Sequence, residues 1–247
     1  MAREWDAATY DRVATPQERW GIPVVERLGP EGVETVLDAG CGTGRVTQMV
    51  LDRAPGARVI AVDGSQQMLD EAARRLEPAV DAGRVRFVHA DLSKPLSLDE
   101  PVDAVVSTAT FHWIKDHDAL FANLASVMRP GAQLVAQCGG AGNIASVVAA
   151  MAEVGETWNP WTFTTPDEAR RSLERAGFVD VEAWHHDEPT EFAPGPELEE
   201  FLATVVLGEH LARRPKAERA PFLRAVIAAL PSRTIDYVRL NLLATRG

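Results

Sequence analysis

The feature that most constrains this chain is a short apolar run that leads directly into a glycine-rich loop. Residues 36–38 read Val-Leu-Asp, glycines follow at positions 40, 42 and 44, and a helical pattern begins at residue 45. Glycine lets the backbone turn sharply and come close to a ligand. The order strand, glycine loop and helix predicts the first unit of a parallel α/β sheet, with a ligand site at this loop.

The rest of the chain continues this alternation. Apolar runs rich in β-branched residues predict strands at 35–38, 58–63, 84–89, 103–107, 133–137, 179–184 and 235–245. Ser65 and Thr165 are predicted to cap helices, and Asp118 is predicted to begin a helix that stops at 129–131. Residues 197–230 predict a long helical insertion that the sheet itself does not require. We expect this insertion to cover the carboxyl ends of the strands, where open α/β sheets bind ligands.

Composition narrows the possible function classes. The 247 residues include 25 Lys+Arg and 36 Asp+Glu, a formal net charge of −11, which disfavours nucleic acid as a partner because phosphate binding needs a basic face. The two cysteines lie far apart and no Cys or His pair has metal-ligand spacing, so we expect no metal. The absence of a signal peptide and of a long apolar stretch predicts no membrane partner and a cytoplasmic location.

Acidic residues end three of the predicted strands. Asp38 stands at the mouth of the glycine loop, where its carboxylate would repel a pyrophosphate but would suit a ligand with an amino group and a sulfonium. Asp63 follows 25 residues after Asp38, near the spacing of about 20 residues at which α/β nucleotide sites place an acid for the ribose diol. Asp91 ends the third strand, where it can accept a hydrogen bond from an adenine amino group. Together with the glycine loop, the three acids predict a nucleoside-type ligand.

These residues resemble the class I S-adenosylmethionine-dependent methyltransferase family. The resemblance covers nearly the whole chain and rests on the loop 38–44, on Asp63 and Asp91, and on the fourth-strand segment 105–113. It implies an α/β, Rossmann-like, doubly wound and mostly parallel seven-stranded sheet with an antiparallel last strand and a helical lid. It also implies one domain over 1–247, with an N-terminal helical cap at 1–30, a cofactor-binding core at 33–138 and the lid insertion at 193–231.

The same resemblance implies how the cofactor is held. In this family the glycine loop wraps the methionyl part of S-adenosylmethionine, an acid like Asp63 holds the ribose, and one like Asp91 meets the adenine. Met68 is similar to the apolar residue that packs on the adenosyl group, and Thr108 lies where the fourth strand contacts the methionyl amino group. The implied cofactor-binding residues are Tyr10, Arg19, Asp38, Gly40, Gly42, Gly44, Asp63, Gly64, Met68, Asp91, Leu92 and Thr108.

A closer resemblance is to the trans-aconitate methyltransferase group of that family, small-molecule enzymes that esterify a carboxylate. It rests on residues 5–10 and 18–19, on 112–118 and on the final strand 240–246. It implies that Tyr10 and Arg19 fold over the methionyl end of the cofactor. Residues 205–214 of the lid lack the Gly-Leu-Arg-Pro-like stretch of that group, so the resemblance does not extend to a tricarboxylate acceptor.

Methyl transfer from a sulfonium depends on alignment of the acceptor and exclusion of water. His112 follows the fourth strand, where it can take a proton from a hydroxyl or orient a carboxylate. We therefore predict catalytic roles for His112 and Tyr10, and contacts to the acceptor from Trp5, His112, Trp113, Trp158 and Trp161. The expected activity is methylation of a carboxylate or hydroxyl on a small molecule by a monomer or homodimer, with S-adenosylhomocysteine as product.

Two alternatives remain open. A protein that binds S-adenosylmethionine without transferring its methyl group, as a regulatory subunit or a cyclase-like scaffold, would carry the same glycine loop. An NAD-dependent oxidoreductase is weaker, because Arg45 breaks the G-x-G-x-x-G spacing and Asn241 stands where the lysine of a Tyr-x-x-x-Lys pair would follow Tyr237.

Overall fold

One large sheet organises the part of the chain that the structure, a computed structural model, describes, namely residues 7, 15–29 and 31–247. The strands are β1 (Thr35–Ala39), β2 (Arg58–Asp63), β3 (Val85–His89), β4 (Val102–Thr108), β5 (Met128–Gly139), β6 (Phe178–Asp187), β7 (Thr190–Glu191), β8 (Thr234–Ile235) and β9 (Val238–Arg246). The seven-stranded sheet has the order β3-β2-β1-β4-β5-β9-β6, and β7 pairs with β8 separately. Strands β1 to β5 are parallel, whereas β9 is antiparallel to both neighbours. The predicted Rossmann-like sheet with an antiparallel last strand is therefore confirmed.

Helices cover both faces of the sheet and part of its carboxyl edge. They are α1 (Thr15–Arg27), α2 (Arg45–Arg53), α3 (Gln66–Arg75), α4 (Glu77–Asp81), α5 (His117–Ser126), α6 (Ala145–Glu153), α7 (Pro166–Arg175), α8 (Glu197–Phe201), α9 (Gly208–Ala212) and α10 (Lys216–Ala229). A 3₁₀ turn spans Phe111–Trp113 and a π-helical turn spans Leu202–Val206.

The core is divided among three apolar clusters. One lies between the sheet and α1 and α2, and includes Val24 and Leu51; another lies on the opposite face under α5 and α7, and includes Phe121 and Leu173. The third joins the helical segment 197–229 to α6 and includes Phe201. The first two clusters fix the sheet between its helical layers. The third holds the helical segment near the carboxyl ends of the strands.

The predicted caps at Ser65 and Thr165 are both present. Ser65 Oγ accepts a hydrogen bond from the Met68 backbone N at 3.4 Å and begins α3 at the end of β2. Thr165 and Glu168 form a reciprocal capping box at the start of α7. Such boxes satisfy two of the backbone N–H groups that a helix N-terminus leaves without partners.

Two boundaries near α5 differ from the prediction. The helix begins at His117 because Asp116, rather than Asp118, caps it by accepting a hydrogen bond from the Ala119 N at 2.9 Å. Strand β5 begins at Met128, before the expected helix stop, because Gly131 takes a φ of 81° and the pairing with β4 shifts register there. A glycine can adopt this left-handed conformation inside a strand, and Pro is tolerated at such an irregularity.

The long helical insertion is also divided more finely than predicted. A π-helical turn, Gly208 and Pro215 separate α8, α9 and α10, so residues 197–230 are not one helix. The last strand begins at Val238 instead of residue 235, because Thr234 and Ile235 pair with β7. These breaks fold the segment back over the sheet edge.

Candidate active site

The main cleft lies at the carboxyl ends of β1 to β4 and has a volume of about 550 Å³. Volumes of this size are typical of small-molecule sites. The predicted cofactor residues that line it are Gly40, Gly42, Asp63, Gly64, Met68, Asp91, Leu92 and Thr108. The topology brings them together because parallel strands place their carboxyl ends at one edge of the sheet.

The glycine loop is held against the neighbouring strand by its backbone. Gly40 N and Cys41 N donate to the Val62 carbonyl at 2.8 and 2.9 Å. Gly40 has a φ of 86°, and a Cβ at this position would lie 2.2 Å from Thr110 Oγ1. Both the positive φ and the close approach of Thr110 require glycine at this position.

Asp63 fixes the loop from the end of β2. One carboxylate oxygen accepts from Gly42 N and the other from Ser65 N, each at 2.9 Å. A carboxylate oxygen has more than one acceptor site, so both oxygens can still accept hydroxyl donors from a ligand. The cleft thus contains a pre-positioned carboxylate of the kind that binds a ribose diol.

Asp38 and Thr108 contribute buried polar atoms whose hydrogen-bonding capacity the described residues leave unused. Asp38 Oδ2 accepts from Thr47 Oγ1 at 2.6 Å, but Asp38 Oδ1 and Thr108 Oγ1 have no hydrogen-bond partner in this part of the chain. Burial raises the pKa of Asp38 to about 7 despite the Thr47 hydrogen bond, and the Asp63 charge adds to the rise. Such atoms are expected where a polar ligand completes the site.

Asp91 lies at the other side of the cleft, after β3. Its Oδ1 accepts from Ser93 N at 3.0 Å and from Ser93 Oγ at 2.7 Å. Partial burial raises the pKa of Asp91, but the Ser93 hydrogen bonds outweigh it and lower the pKa below its ordinary value. Asp91 is therefore ionised at neutral pH and can accept a further hydrogen bond.

A second, smaller cavity of about 40 Å³ adjoins the cleft, and we call it the chamber. Ala109 and Trp113 line both cavities. Ala109 has a φ of 60° and donates its N–H to the Gln137 carbonyl at 2.7 Å, which turns the chain sharply after β4. A non-glycine residue in this region is strained and commonly marks a functional turn. The two cavities are therefore adjacent parts of one site.

Aromatic and apolar side chains form most of the chamber wall. Trp161 stacks on Phe163 with ring centroids 5.8 Å apart, and Trp113 lies 6.0 Å from Trp161. Val205 and Val206, from the π-helical turn, close the side toward the helical segment. The predicted acceptor residues Trp113 and Trp161 thus reach the same cavity.

His112 lines the chamber as a neutral donor. Its Nδ1 accepts a hydrogen bond from Gly139 N at 3.2 Å, so in the neutral ring the proton is on Nε2. Burial, followed by the positive charge of Arg239, lowers the pKa of His112 well below its ordinary value. The ring can therefore donate to an oxygen of a ligand through Nε2, but this tautomer gives Nε2 no lone pair with which to accept a proton.

Arg239 also lines the chamber and was not predicted from the sequence. It is only 1% exposed, although it lies at the start of β9. Its Nε donates to Gln137 Oε1 at 3.2 Å, and its guanidinium carbon lies 3.8 Å from the centroid of the Trp20 ring. The available signal was weak: Arg239 and Asn241 are polar residues at alternate positions of the otherwise apolar segment 238–244.

Several predicted site residues line neither cavity, and the buried Asp38 is one of them. Gly44 packs against the end of α3, since a Cβ at this position would lie 2.9 Å from the Leu76 side chain. Arg19 is exposed on α1 with an ion pair to Glu188 at 3.5 Å, and Trp158 packs under Arg213 outside both cavities. Trp5 and Tyr10 fall outside the described residues.

Within residues 15–29 and 31–247, no group of three or more His, Cys, Asp or Glu side chains is arranged to hold a metal ion. Within the same ranges, none of the helices has the length and apolar character needed to cross a membrane.

Comparison with known proteins gives a consistent result. The methyltransferase domain family matches residues 36–131. The chain is 35% identical to the trans-aconitate 2-methyltransferase of Streptomyces coelicolor over 141 residues. This alignment covers 56% of this chain and 46% of that protein. It is 28% identical to the enzyme of the same name from Paracidovorax citrulli over 99% of both chains. The chain spans about half the length of the first curated relatives it matches.

Solved structures agree on the fold. Haemonchus contortus phosphoethanolamine N-methyltransferase 2 superimposes with a TM-score of 0.66 at 18% identity, covering 97% of this chain and 56% of that one. At this identity the likeness concerns the fold alone. Residues 36–131, which contain the glycine loop and β1 to β4, match the methyltransferase domain family, and the chain is similar to the trans-aconitate 2-methyltransferases.

Proposed function

We propose that this chain transfers a methyl group from S-adenosylmethionine to a carboxylate oxygen of a small-molecule acceptor. The observation that carries the proposal is the pair of buried polar atoms, Asp38 Oδ1 and Thr108 Oγ1, at the ends of the adjacent strands β1 and β4. An ammonium group such as that of the methionyl part would donate to both. The chemistry of these atoms fits the cofactor, and the acidic cleft does not fit a pyrophosphate.

The other cleft residues fit the remaining parts of the same molecule. Asp63 would accept from the ribose hydroxyls while it holds Gly42 and Ser65 in place. Asp91 would accept from the adenine amino group, and the buried Met68 would pack on the adenosyl group. When bound, the cofactor supplies an electrophilic methyl group on a sulfonium.

The acceptor side of the site favours a carboxylate over a hydroxyl. A hydroxyl must lose its proton during the transfer, and the described residues that line the chamber include no carboxylate to take it. His112 holds its neutral ring with Nε2 as donor, so it can orient an acceptor oxygen through that nitrogen. A carboxylate is already ionised at neutral pH and needs only alignment and exclusion of water.

We infer from the same layout that residues 1–247 form one methyltransferase domain. In this domain residues 1–30 cap the site, 33–138 bind the donor, and 193–231 act as a lid over the acceptor. The monomeric or homodimeric state and the cytoplasmic location remain predictions.

Calorimetry and label transfer together test the proposal. S-adenosylmethionine and S-adenosylhomocysteine should bind with one site per chain, and methyl-labelled donor should pass its label to small carboxylic acids as base-labile esters. NADH that binds more tightly than the donor would overturn the proposal. Donor binding without label transfer to any acid, alcohol or amine would favour the scaffold alternative.

A further inference from the structure

We propose that Asn143 binds the methyl acceptor, and that its side-chain N–H₂ group and the His112 Nε2–H together hold the carboxylate of that acceptor in the chamber. The inference rests on the proposed methyl transfer to a carboxylate and adds to it a second hydrogen-bond donor for the acceptor. It commits the chamber to one ligand chemistry, an anionic group whose two oxygens accept hydrogen bonds.

The Asn143 side chain is fixed in a way that leaves its N–H₂ group unused. The residue is only 4% exposed and lines the chamber. Its Oδ1 accepts a hydrogen bond from the Val238 backbone N at 3.0 Å, and its own backbone N donates to the Gly140 carbonyl at 2.9 Å. Because a backbone N–H can only donate, the atom that faces Val238 is the amide oxygen. None of the described residues accepts a hydrogen bond from Asn143 Nδ2.

Gly139 brings this N–H₂ group and the His112 ring to the same wall. Its backbone N donates to His112 Nδ1 at 3.2 Å, which leaves the proton on Nε2. A Cβ at Gly139 would lie 2.7 Å from Asn143 Nδ2 and 2.8 Å from the Phe163 ring, so a larger residue would displace both side chains. His112 is 8% exposed, and within the described part of the chain nothing accepts from its Nε2. Two buried donors therefore reach one small cavity.

Buried N–H groups without an acceptor are rare in native structures, and a pair of them indicates a ligand or ordered water. The chamber, at about 40 Å³, has room for a group of a few heavy atoms such as a carboxylate head. It adjoins the cleft at Ala109, one residue after Thr108, whose Oγ1 we assign to the methionyl ammonium group. A carboxylate in the chamber would thus lie at the methyl end of the donor.

The chemistry of the two donors favours a carboxylate. Hydrogen bonds to a carboxylate are about twice as strong as those to a neutral oxygen, and an N–H group offers no lone pair to the proton of a hydroxyl. A carboxylate has about four lone-pair sites, so two N–H groups leave others free. One free lone pair forms the C–O bond to the methyl carbon, while the bond from that carbon to sulfur breaks with its electron pair passing to sulfur. Neither His112 nor Asn143 gains or loses a proton.

Acetate is a small probe that carries this chemistry, and nuclear magnetic resonance reports its binding at Asn143 itself. The full chain, with isotope-labelled asparagine and saturated with S-adenosylhomocysteine, is titrated with sodium acetate, and with acetamide and sodium chloride as controls. The Asn143 side-chain signal is assigned by its loss in Asn143→Asp. We expect acetate to shift its N–H₂ protons downfield in a saturable way, acetamide to bind roughly tenfold more weakly, and chloride to give no saturable shift.

Asn143→Asp keeps an oxygen for Val238 and replaces the N–H₂ group by a negatively charged oxygen. In calorimetry it should weaken acetate binding by roughly thirtyfold, and in label transfer it should lower kcat/KM for small carboxylic acids by about the same factor. S-adenosylhomocysteine affinity should stay within about twofold. The preference for acetate over acetamide should also disappear, a change that a merely structural role would not produce. His112→Phe removes the other donor and should weaken acetate binding by a similar factor.

Asn159→Asp is the matched control. Asn159 is exposed, and its Oδ1 likewise accepts a hydrogen bond from a backbone N–H, that of Trp161 at 2.8 Å. The same substitution therefore adds the same charge without changing a chamber donor. This variant should match wild type in acetate affinity and in kcat/KM.

The possible results separate this inference from the proposed function. An Asn143 signal that acetate does not shift, or an Asn143→Asp chain with the acetate affinity and kcat/KM of wild type, would overturn the inference while the proposed function stands. Failure of S-adenosylmethionine to bind, or label transfer to no small carboxylic acid, would instead overturn the proposed function. If Asn143→Asp does not fold, the signal is assigned through the Asn143 backbone, and the titrations of the wild-type chain decide.

Discussion

Replacing Asp38 by asparagine should stabilise the unliganded protein at neutral pH and weaken binding of the methyl donor. Burial first, and the Asp63 charge after it, raise the pKa of Asp38 from 3.8 to about 7, although Thr47 donates a hydrogen bond to it. Each pKa unit corresponds to about 1.36 kcal/mol, so ionised Asp38 costs the unliganded fold about 4 kcal/mol. The ionised carboxylate lowers the stability of the unliganded fold, which is expected of a ligand-binding group.

The sign of the pH dependence follows from proton linkage. Between about pH 4 and pH 7 the native state holds a proton on Asp38 that the unfolded chain has released, so this group lowers stability as pH rises. Asparagine does not titrate. The free energy of unfolding of Asp38→Asn, minus that of wild type, should therefore increase by about 2 kcal/mol from pH 5.5 to pH 8. The absolute gain at pH 8 stays below about 4 kcal/mol, because the new amide N–H₂ faces the position of Oδ1 without an acceptor, a loss of about 1–3 kcal/mol.

Urea unfolding followed by tryptophan fluorescence at pH 5.5, 7 and 8 measures this difference. Asp70→Asn is the matched control, since Asp70 is an exposed carboxylate on α3 that accepts a hydrogen bond from Gln66. Calorimetry on the same samples should show donor affinity reduced by about a hundredfold for Asp38→Asn and unchanged for Asp70→Asn. A stability difference that is constant with pH would refute the reasoning about Asp38, and unchanged donor affinity would remove Asp38 from the site.

Three further substitutions have defined expected outcomes. Gly40→Ala should lower stability by about 2 kcal/mol or more, because its Cβ meets Thr110 at a positive φ; an unchanged Tm would contradict the loop geometry. Asp63→Ala should weaken S-adenosylmethionine binding by about 3 kcal/mol, roughly a hundredfold, and should loosen Gly42; unaltered calorimetric affinity would exclude the ribose role. Thr165→Ala should cost about 1 kcal/mol in urea unfolding through loss of the capping box and leave donor binding intact; a change in donor affinity would contradict its purely structural role.

The donor side of the site could be predicted from the sequence because its signals are local. Asp38 and Asp63 directly follow apolar residues, Asp91 comes two residues after β3, and parallel strands place such residues at one edge. The mostly parallel seven-stranded sheet and its antiparallel last strand were implied by the family resemblance and are confirmed. The boundaries of β5 and α5 were less accessible, because they depend on one glycine conformation and on which of two nearby aspartates caps the helix.

The chamber could be predicted only in part, because His112, Trp113 and Trp161 were predicted as acceptor residues whereas Val206 and Arg239 were not. The chamber combines His112, Trp161, Val206 and Arg239, which lie on separate elements and share no sequence spacing. The tautomer of His112 follows from a backbone N–H 27 residues later in the chain. Aromatic residues look alike in sequence whether they line a cavity, as Trp161 does, or stack under an arginine at the surface.

Ala109 and Trp113 form the wall that the cleft and the chamber share. Apart from this wall, different parts of the chain line the two cavities, so the residues of one can be substituted independently of those of the other. Residues 36–131, which match the methyltransferase domain family, contain nearly all of the donor cleft, whereas most of the chamber comes from the chain after residue 138. If the chamber holds the acceptor, as we propose, substitutions at Val205 or Val206 should change acceptor selectivity without altering a donor contact. On this proposal, new acceptor selectivities of this chain are best sought by varying the chamber residues after position 138 while His112 and Trp113 are kept.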